Sequence, residues 1–223
     1  MNHLTRTTRP TASAADTPSV TRSRRWLSLG AYAGPVFLLG SFAQLPLNPG
    51  FDMTRHAFSF LSNGPYGWIQ QTVFVLTGLL NIAAGIGLVG ALTGRIRYLA
   101  GSAAVVVGAG QIVAGICPPD PAFGYPAGAP VGYPDQISLI SVLHGVGFGI
   151  SVLAWVVLLI TLAVWLGRTG NRGWAAAAVV VAVAVLVVPA LQGTSFGTVF
   201  LYVAVSAGFV VTAAIIRRLS LRS

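Results

Sequence analysis

Four polar side chains, Asp52, His56, Ser59 and Asn63, recur at intervals of four, three and four residues in a stretch that is otherwise largely aromatic and aliphatic. On a helix at 100° per residue they fall within about 60° of one another, while Phe51, Met53, Ala57, Phe58, Phe60 and Leu61 cover the opposite side. The pattern predicts a short amphipathic helix over 52–63. A carboxylate that orients an imidazole beside a hydroxyl is the arrangement nucleophilic catalysis uses. His56 and Ser59 are therefore candidate catalytic residues, with Asp52 and Asn63 beside them in a pocket; the same groups could hold a metal ion or relay protons. A purely structural role is the competing reading, in which Asp52 is a helix cap and the other three bond the ends of neighbouring helices.

A third candidate catalytic residue lies far along the chain. His144 follows Asp135 by nine residues, about 13 Å down a helix, with Asp135 almost opposite it and read as the helix N-cap. An imidazole pointing into lipid would forfeit hydrogen bonds worth several kcal/mol. His144 is therefore expected to face an outward-opening polar cavity shared with His56 and Ser59, flanked by Ser141 and covered by the segment that carries Asp120. Asn81 and Gln111 are the other polar side chains that stand out inside apolar spans, and each needs a hydrogen-bond partner there.

Composition names the solvent these residues work in. At 55% hydrophobic and 8% charged over 223 residues, the chain is too apolar for a soluble domain and reads as an all-α integral membrane protein. All 13 basic residues are Arg, and Lys and Glu are absent, which with the abundance of Ala, Val and Gly fits a bacterial coding sequence rich in G and C. No soluble domain carries the net charge of +9, so anionic lipid headgroups, and not nucleic acid, are the expected partner. The single Cys117 excludes an internal disulfide.

Apolar segments over 26–44, 68–92, 98–116, 137–166, 174–191 and 198–216 predict six membrane helices, the first kinked at Pro35, with a disordered basic tail over 1–25 and a basic tail over 217–223. Arg95 and Arg97 follow span two, Arg168 and Arg172 span four, and Arg217, Arg218 and Arg222 span six, on the side of Arg22, Arg24 and Arg25. By the positive-inside rule both termini are cytoplasmic, in a bacterial plasma membrane, and only Arg55 lies outside. Ser141, Gly145 and Gly149 in span four, and Ala104 and Gly108 in span three, have the spacing of helix-packing residues. The connection over 117–134 holds six prolines and repeats Gly-Tyr-Pro, which precludes helix and sheet and predicts a stiff lid or, equally, a plain spacer.

The run His56-Ala-Phe-Ser-Phe-Leu-Ser-Asn-Gly-Pro-Tyr-Gly-Trp-Ile-Gln70, then Phe74 and Gly78-Leu-Leu, Asp120, Tyr125-Pro-Ala-Gly-Ala-Pro130 and His144-Gly145, resembles the bacterial membrane proteins of domain of unknown function 998. The resemblance implies a six-span fold and no particular reaction, cofactor or partner. The ceramidase and progestin-receptor-like membrane hydrolases are also similar in using Ser, Asp and His near one face, with zinc held by three His. Here His3 lies in the tail, so a zinc site would need Asp52 or Asp120 beside His56 and His144. Three function classes follow: a protein that binds or handles a lipid or small amphipathic molecule in an outward-facing polar pocket, a membrane-embedded hydrolase using His, Asp and Ser, and a small-solute or proton-coupled transporter.

Overall fold

Pro35 has no N–H to offer the carbonyl of Ala31, and the first hydrophobic segment breaks at that point. The structure is a computed structural model that describes residues 18–191 and 196–222. It divides the segment into α1 (Pro18–Gly30) and α2 (Ala33–Ala43), joined by a tightened turn in which Tyr32 N donates to Leu29 O at 3.0 Å. The kink thus falls one turn before the proline that causes it. Helix already begins at Pro18, so Arg22, Arg24 and Arg25 ride on α1 instead of in a disordered tail. The rest of that predicted tail, residues 1–17 with His3 and Asp16, lies outside the described residues.

The remaining helices are α3 (Gly67–Ala91), α4 (Ile96–Ile116), α5 (Leu139–Arg168), α6 (Arg172–Leu191) and α7 (Gly197–Ser220). Each lies within a few residues of an expected apolar span. Among the described residues, five stretches are long and apolar enough to cross a membrane: Val20–Leu47, which runs through α1, α2 and a 3-10 turn, and the helices Gly67–Ala91, Ile96–Ile116, Leu139–Arg168 and Gly197–Ser220. Arg172–Val188 of α6 is a shorter apolar helix. The chain is a multi-pass, all-helical membrane protein. Successive helices run up and down, so the connections over 44–66 and 117–138 share one end of the bundle, the loop end. Arg95, Arg97, Arg168, Arg172, Arg217 and Arg218 gather with the start of α1 at the other, the arginine end.

Glycine sets how closely α3 and α4 approach. A Cβ on Gly78 would stand 2.6 Å from the Gly108 carbonyl oxygen, and one on Gly85 the same distance from that of Gly101, so only hydrogen fits at either crossing. Helix α5 approaches α4 through Gly147, where a Cβ would meet the Gly110 carbonyl at 2.8 Å. The small residues expected to pack this helix are not the ones that do: among the described residues, nothing lies within 4 Å of where a Cβ on Gly145 or Gly149 would stand. They lie on a different face from Gly147. At the centre, Phe37 of α2 stacks on Phe209 of α7 at 4.5 Å and meets Phe74 of α3 edge-on at 5.5 Å, tying the first helices to the last.

Candidate functional site

The expected helix over 52–63 does not form as one element. Asp52 accepts from Thr54 N at 2.8 Å and Thr54 Oγ1 at 2.7 Å, while its carbonyl takes the N–H groups of Arg55 and His56, closing a single turn. Ala57 is then extended, and a 3-10 helix spans Phe58–Asn63. What outweighs helix continuity is Phe58, whose ring sits edge-on to Tyr202 at 4.5 Å, Phe42 at 4.9 Å and Phe37 at 5.8 Å. The polar stripe is accordingly broken between His56 and Ser59. The Thr54 hydroxyl, and then its N–H, hold the exposed Asp52 carboxyl below its usual range.

His56 is 2% exposed and bonded at both ring nitrogens. Nδ1 accepts from Asp52 N at 2.8 Å, which places the ring proton on Nε2, 3.1 Å from the Phe123 carbonyl oxygen. The Tyr202 hydroxyl donates to the carbonyl of His56 itself. The imidazole therefore clamps one loop to the other, packed between Phe51 and Tyr125 at ring distances of 5.3 and 5.4 Å. Ser59 is half-buried and makes no hydrogen bond among the described residues, and Asn63 is half-buried with its Nδ2 unpartnered.

Asp120 and Ser141 meet at the start of α5. Ser138 is the N-cap, its Oγ accepting from Ser141 N at 3.1 Å, where Asp135 was expected in that role; Asp135 is exposed and lies before the helix. Asp120 accepts from Ser138 N at 2.7 Å and Ser138 Oγ at 2.6 Å, and its own N–H donates to Ser141 Oγ at 3.1 Å. A carboxylate at a helix N-terminus is stabilised by the helix dipole. Asp120 thus pins the proline-rich segment to α5.

His144 answers a defect that the prolines create. The carbonyls of Ala114 and Cys117 would look four residues ahead for an N–H, and find Pro118 and Pro121. His144 Nδ1 stands 2.9 Å from Ala114 O and 2.8 Å from Cys117 O and supplies the missing donor. Its ring lies edge-on to Phe74 at 6.3 Å. Among the described residues neither histidine hydrogen-bonds a hydroxyl or a carboxylate side chain. The two rings are held by main-chain groups of different residues, and Ser59 bonds neither. Nor do three His, Cys, Asp or Glu gather closely enough to hold a metal ion among the described residues.

A polar network that the sequence reading did not assemble lies under the loops. The Tyr125 hydroxyl, on a ring 1% exposed, donates to Asn48 Oδ1 at 2.9 Å. Asn48 Nδ2 donates to Gln44 O at 2.7 Å, and Gln44 Nε2 to Gln70 Oε1 at 2.7 Å. Burial pushes the Tyr125 hydroxyl above its ordinary pKa. One signal was available: Gln70, Thr77 and Asn81 recur at seven and eleven residues, within about 40° on a helix, and all three are buried. Deeper still, Asn81 Nδ2 donates to Gln111 Oε1 at 2.8 Å.

Gln111 borders a cavity of about 50 Å³. Its walls are mainly aromatic and aliphatic, with Phe37, Phe74, Phe148, Trp155 and Phe209 the large ones and Ser151 the other polar side chain. The Asn81–Gln111 bond engages one polar atom of each amide, Nδ2 of Asn81 and Oε1 of Gln111.

A family model described as a protein of unknown function, DUF998, matches residues 31–220. The chain is a DUF998 protein. The match covers every membrane helix from the break at Ala31 onward, and both loops of this DUF998 protein that meet at His56. No curated protein and no solved structure matches the chain.

Proposed function

We propose that this protein binds a small, largely apolar molecule with one hydrogen-bonding group, the end of a lipid chain or a small amphipathic compound, within the helix bundle. The observation that carries this reading is the aromatic cavity with the Gln111 amide on its wall. Its volume, about 50 Å³, is well below the roughly 150 Å³ that accommodates benzene in an engineered protein cavity. The occupant is therefore slim, or the cavity widens to admit it. In this reading α6 is the sixth crossing, both termini face the cytoplasm of a bacterial cell, and the arginine end meets anionic lipid headgroups. The loop end, with Asp52, Ser59, Asn63, Asp120 and Ser141, faces outward as a covering layer above the cavity.

A hydrolase using His56, Ser59 and His144 would have to release the main-chain groups the two rings now hold, and a structural role for both histidines accounts for every bond they make. A transporter reading has no charged side chain among the described residues that line the cavity to support it.

The test is thermal unfolding of purified protein in detergent with increasing 1-butanol, beside a Val185→Phe variant that fills the cavity. Occupancy at a hundred times Kd should stabilise the wild type by about 2.7 kcal/mol, and the variant should show no such gain. Equal destabilisation of both proteins would mean that the alcohol acts only as solvent, and the reading would fail.

A further inference from the structure

Few bonds hold the connection over 117–138 to the one over 44–66, and one of them depends on the protonation of a ring. Among the described residues, two hydrogen bonds cross between the loops: His56 Nε2 donates to Phe123 O at 3.1 Å, and the Tyr125 hydroxyl to Asn48 Oδ1 at 2.9 Å. The roots of the proline-rich segment are fastened elsewhere. His144 holds the Cys117 carbonyl, and Asp120 is bonded to Ser138 and Ser141 at the start of α5. The segment is thus a flap rooted on α4 and α5, exposed at Val131 and Tyr133, and latched to the opposite loop at His56 and Tyr125.

The His56 bonds require a neutral ring. Nδ1 accepts from Asp52 N at 2.8 Å while Nε2 donates, and an imidazolium, with a proton on each nitrogen, has no lone pair to offer. Neither donor can turn away. The Asp52 main chain is fixed by the turn that its carbonyl closes with Arg55 and His56, and the ring is 2% exposed between Phe51 and Tyr125. Proton uptake therefore sets N–H against N–H and strands a charge away from water, and both are relieved when the ring leaves its slot. Of the groups around the ring, the Asp52 carboxylate, kept ionised by Thr54, attracts the proton and the exposed Arg55 opposes it. Tyr125 of the flap and Tyr202 of α7 face the same turn and keep their hydroxyl protons in acid. Gln192, Gly193, Thr194 and Ser195, which join α6 to α7, carry no titratable side chain.

We propose that His56 is an acid-sensitive latch: neutral, it holds the flap down on the opposite loop, and protonated, it lets the flap lift. Beneath the flap lies the polar chain of Asn48, Gln44 and Gln70. Lifting Tyr125 off Asn48 opens the way for water toward Gln44 Oε1 and Gln70 Nε2, which are buried without a partner among the described residues. Their hydration offsets part of what the latch loses. The shut form is favoured at high pH and lost as pH falls, because the lifted form is the one that binds the proton. The latch does not depend on what occupies the cavity.

The experiment uses the full chain with Cys117→Ser, Tyr66→Cys and Val131→Cys, spin-labelled at the two new thiols, and reads the distance between the labels by pulsed electron resonance. Both positions are exposed, one at the start of α3 and one on the flap. At pH 8 one narrow distance is expected; at pH 5, across the range in which imidazoles change charge, a longer and broader population should grow several-fold, and it should vanish on return to pH 8. His56→Gln, whose side-chain N–H can still donate to Phe123 O but takes up no proton, should keep the narrow distance at both values. With nitrogen-15 histidine in the otherwise unchanged protein, the His56 ring resonances should pass from neutral to charged over the same interval as the distances. An unchanged distance at pH 5 would overturn the latch. So would an opening that persists in His56→Gln, since a carboxylate such as Asp120 would then be the trigger. If His56→Gln does not hold the flap even at pH 8, the two midpoints measured with His56 in place decide: coincidence supports the latch, and separation overturns it.

Discussion

Replacing His56 by Ala separates a clamp from a catalyst. The substitution deletes the acceptor for Asp52 N and the donor to Phe123 O, both partly shielded from water. Each lost bond costs about 1 kcal/mol net when water can replace the partner, and more when it cannot. Removing a ring that is 2% exposed between Phe51 and Tyr125 adds a cavity cost of about 2 kcal/mol. The expected destabilisation is about 4 kcal/mol, concentrated in the two loops and not in the helices. Thermal unfolding of the purified variant reads the total. The local effect is read by protease cleavage within 117–134 and by the rate at which Cys117, which is half-buried, reacts with a thiol reagent. Both should rise sharply in His56→Ala while far-UV helicity stays unchanged. A variant that melts like wild type, with the loop equally protected, would show that the ring bears no structural load and would return it to the candidates for chemistry.

The Tyr125 hydroxyl has its pKa raised by burial above 10.0, so the folded state favours the protonated ring. That contribution is complete below about pH 10 and lost as pH rises through the folded value; protease protection of the 117–134 loop should decline in that alkaline range in wild type, and Tyr125→Phe should abolish this step. His144→Leu leaves the carbonyls of Ala114 and Cys117 without a donor and should cost about 2–4 kcal/mol in thermal unfolding, with His144→Asn recovering part of it. Gly78→Val drives side-chain atoms into the Gly108 carbonyl and should prevent normal assembly of α3 on α4, seen as loss of the monodisperse folded species. Reporter fusions after Arg97, Arg172 and Arg222 should all read cytoplasmic; a periplasmic signal at any one would invert the proposed orientation.

The helices and their ends were legible because their causes are local. Hydropathy marks the spans, Gly64 with Pro65 and Gly67 stops the chain before α3, and Pro118 with Pro119 ends α4. The helical period over 52–63 was also local, and it misled, because Phe58 gains more by docking among Phe37, Phe42 and Tyr202 than the backbone gains by continuing a helix. His144 was correctly singled out as a residue in need of a partner. Its partners are carbonyls that Pro118 and Pro121 leave free; the prolines are local in the sequence, whereas the docking of α5 against the end of α4 is not.

That division holds through the molecule. Sequence alone determined a multi-pass bundle with arginine gathered at one end, since both follow from the transfer of side chains between water and lipid, residue by residue. Which polar groups meet was decided only by the tertiary structure. Gln44 finds Gln70 across 26 residues, Asn81 finds Gln111 across 30, and His56 finds Phe123 across 67. Each pairing depends on the rotation and height of one helix against another. Those are set by close contacts such as Gly78 on Gly108, and no period within a single segment encodes them.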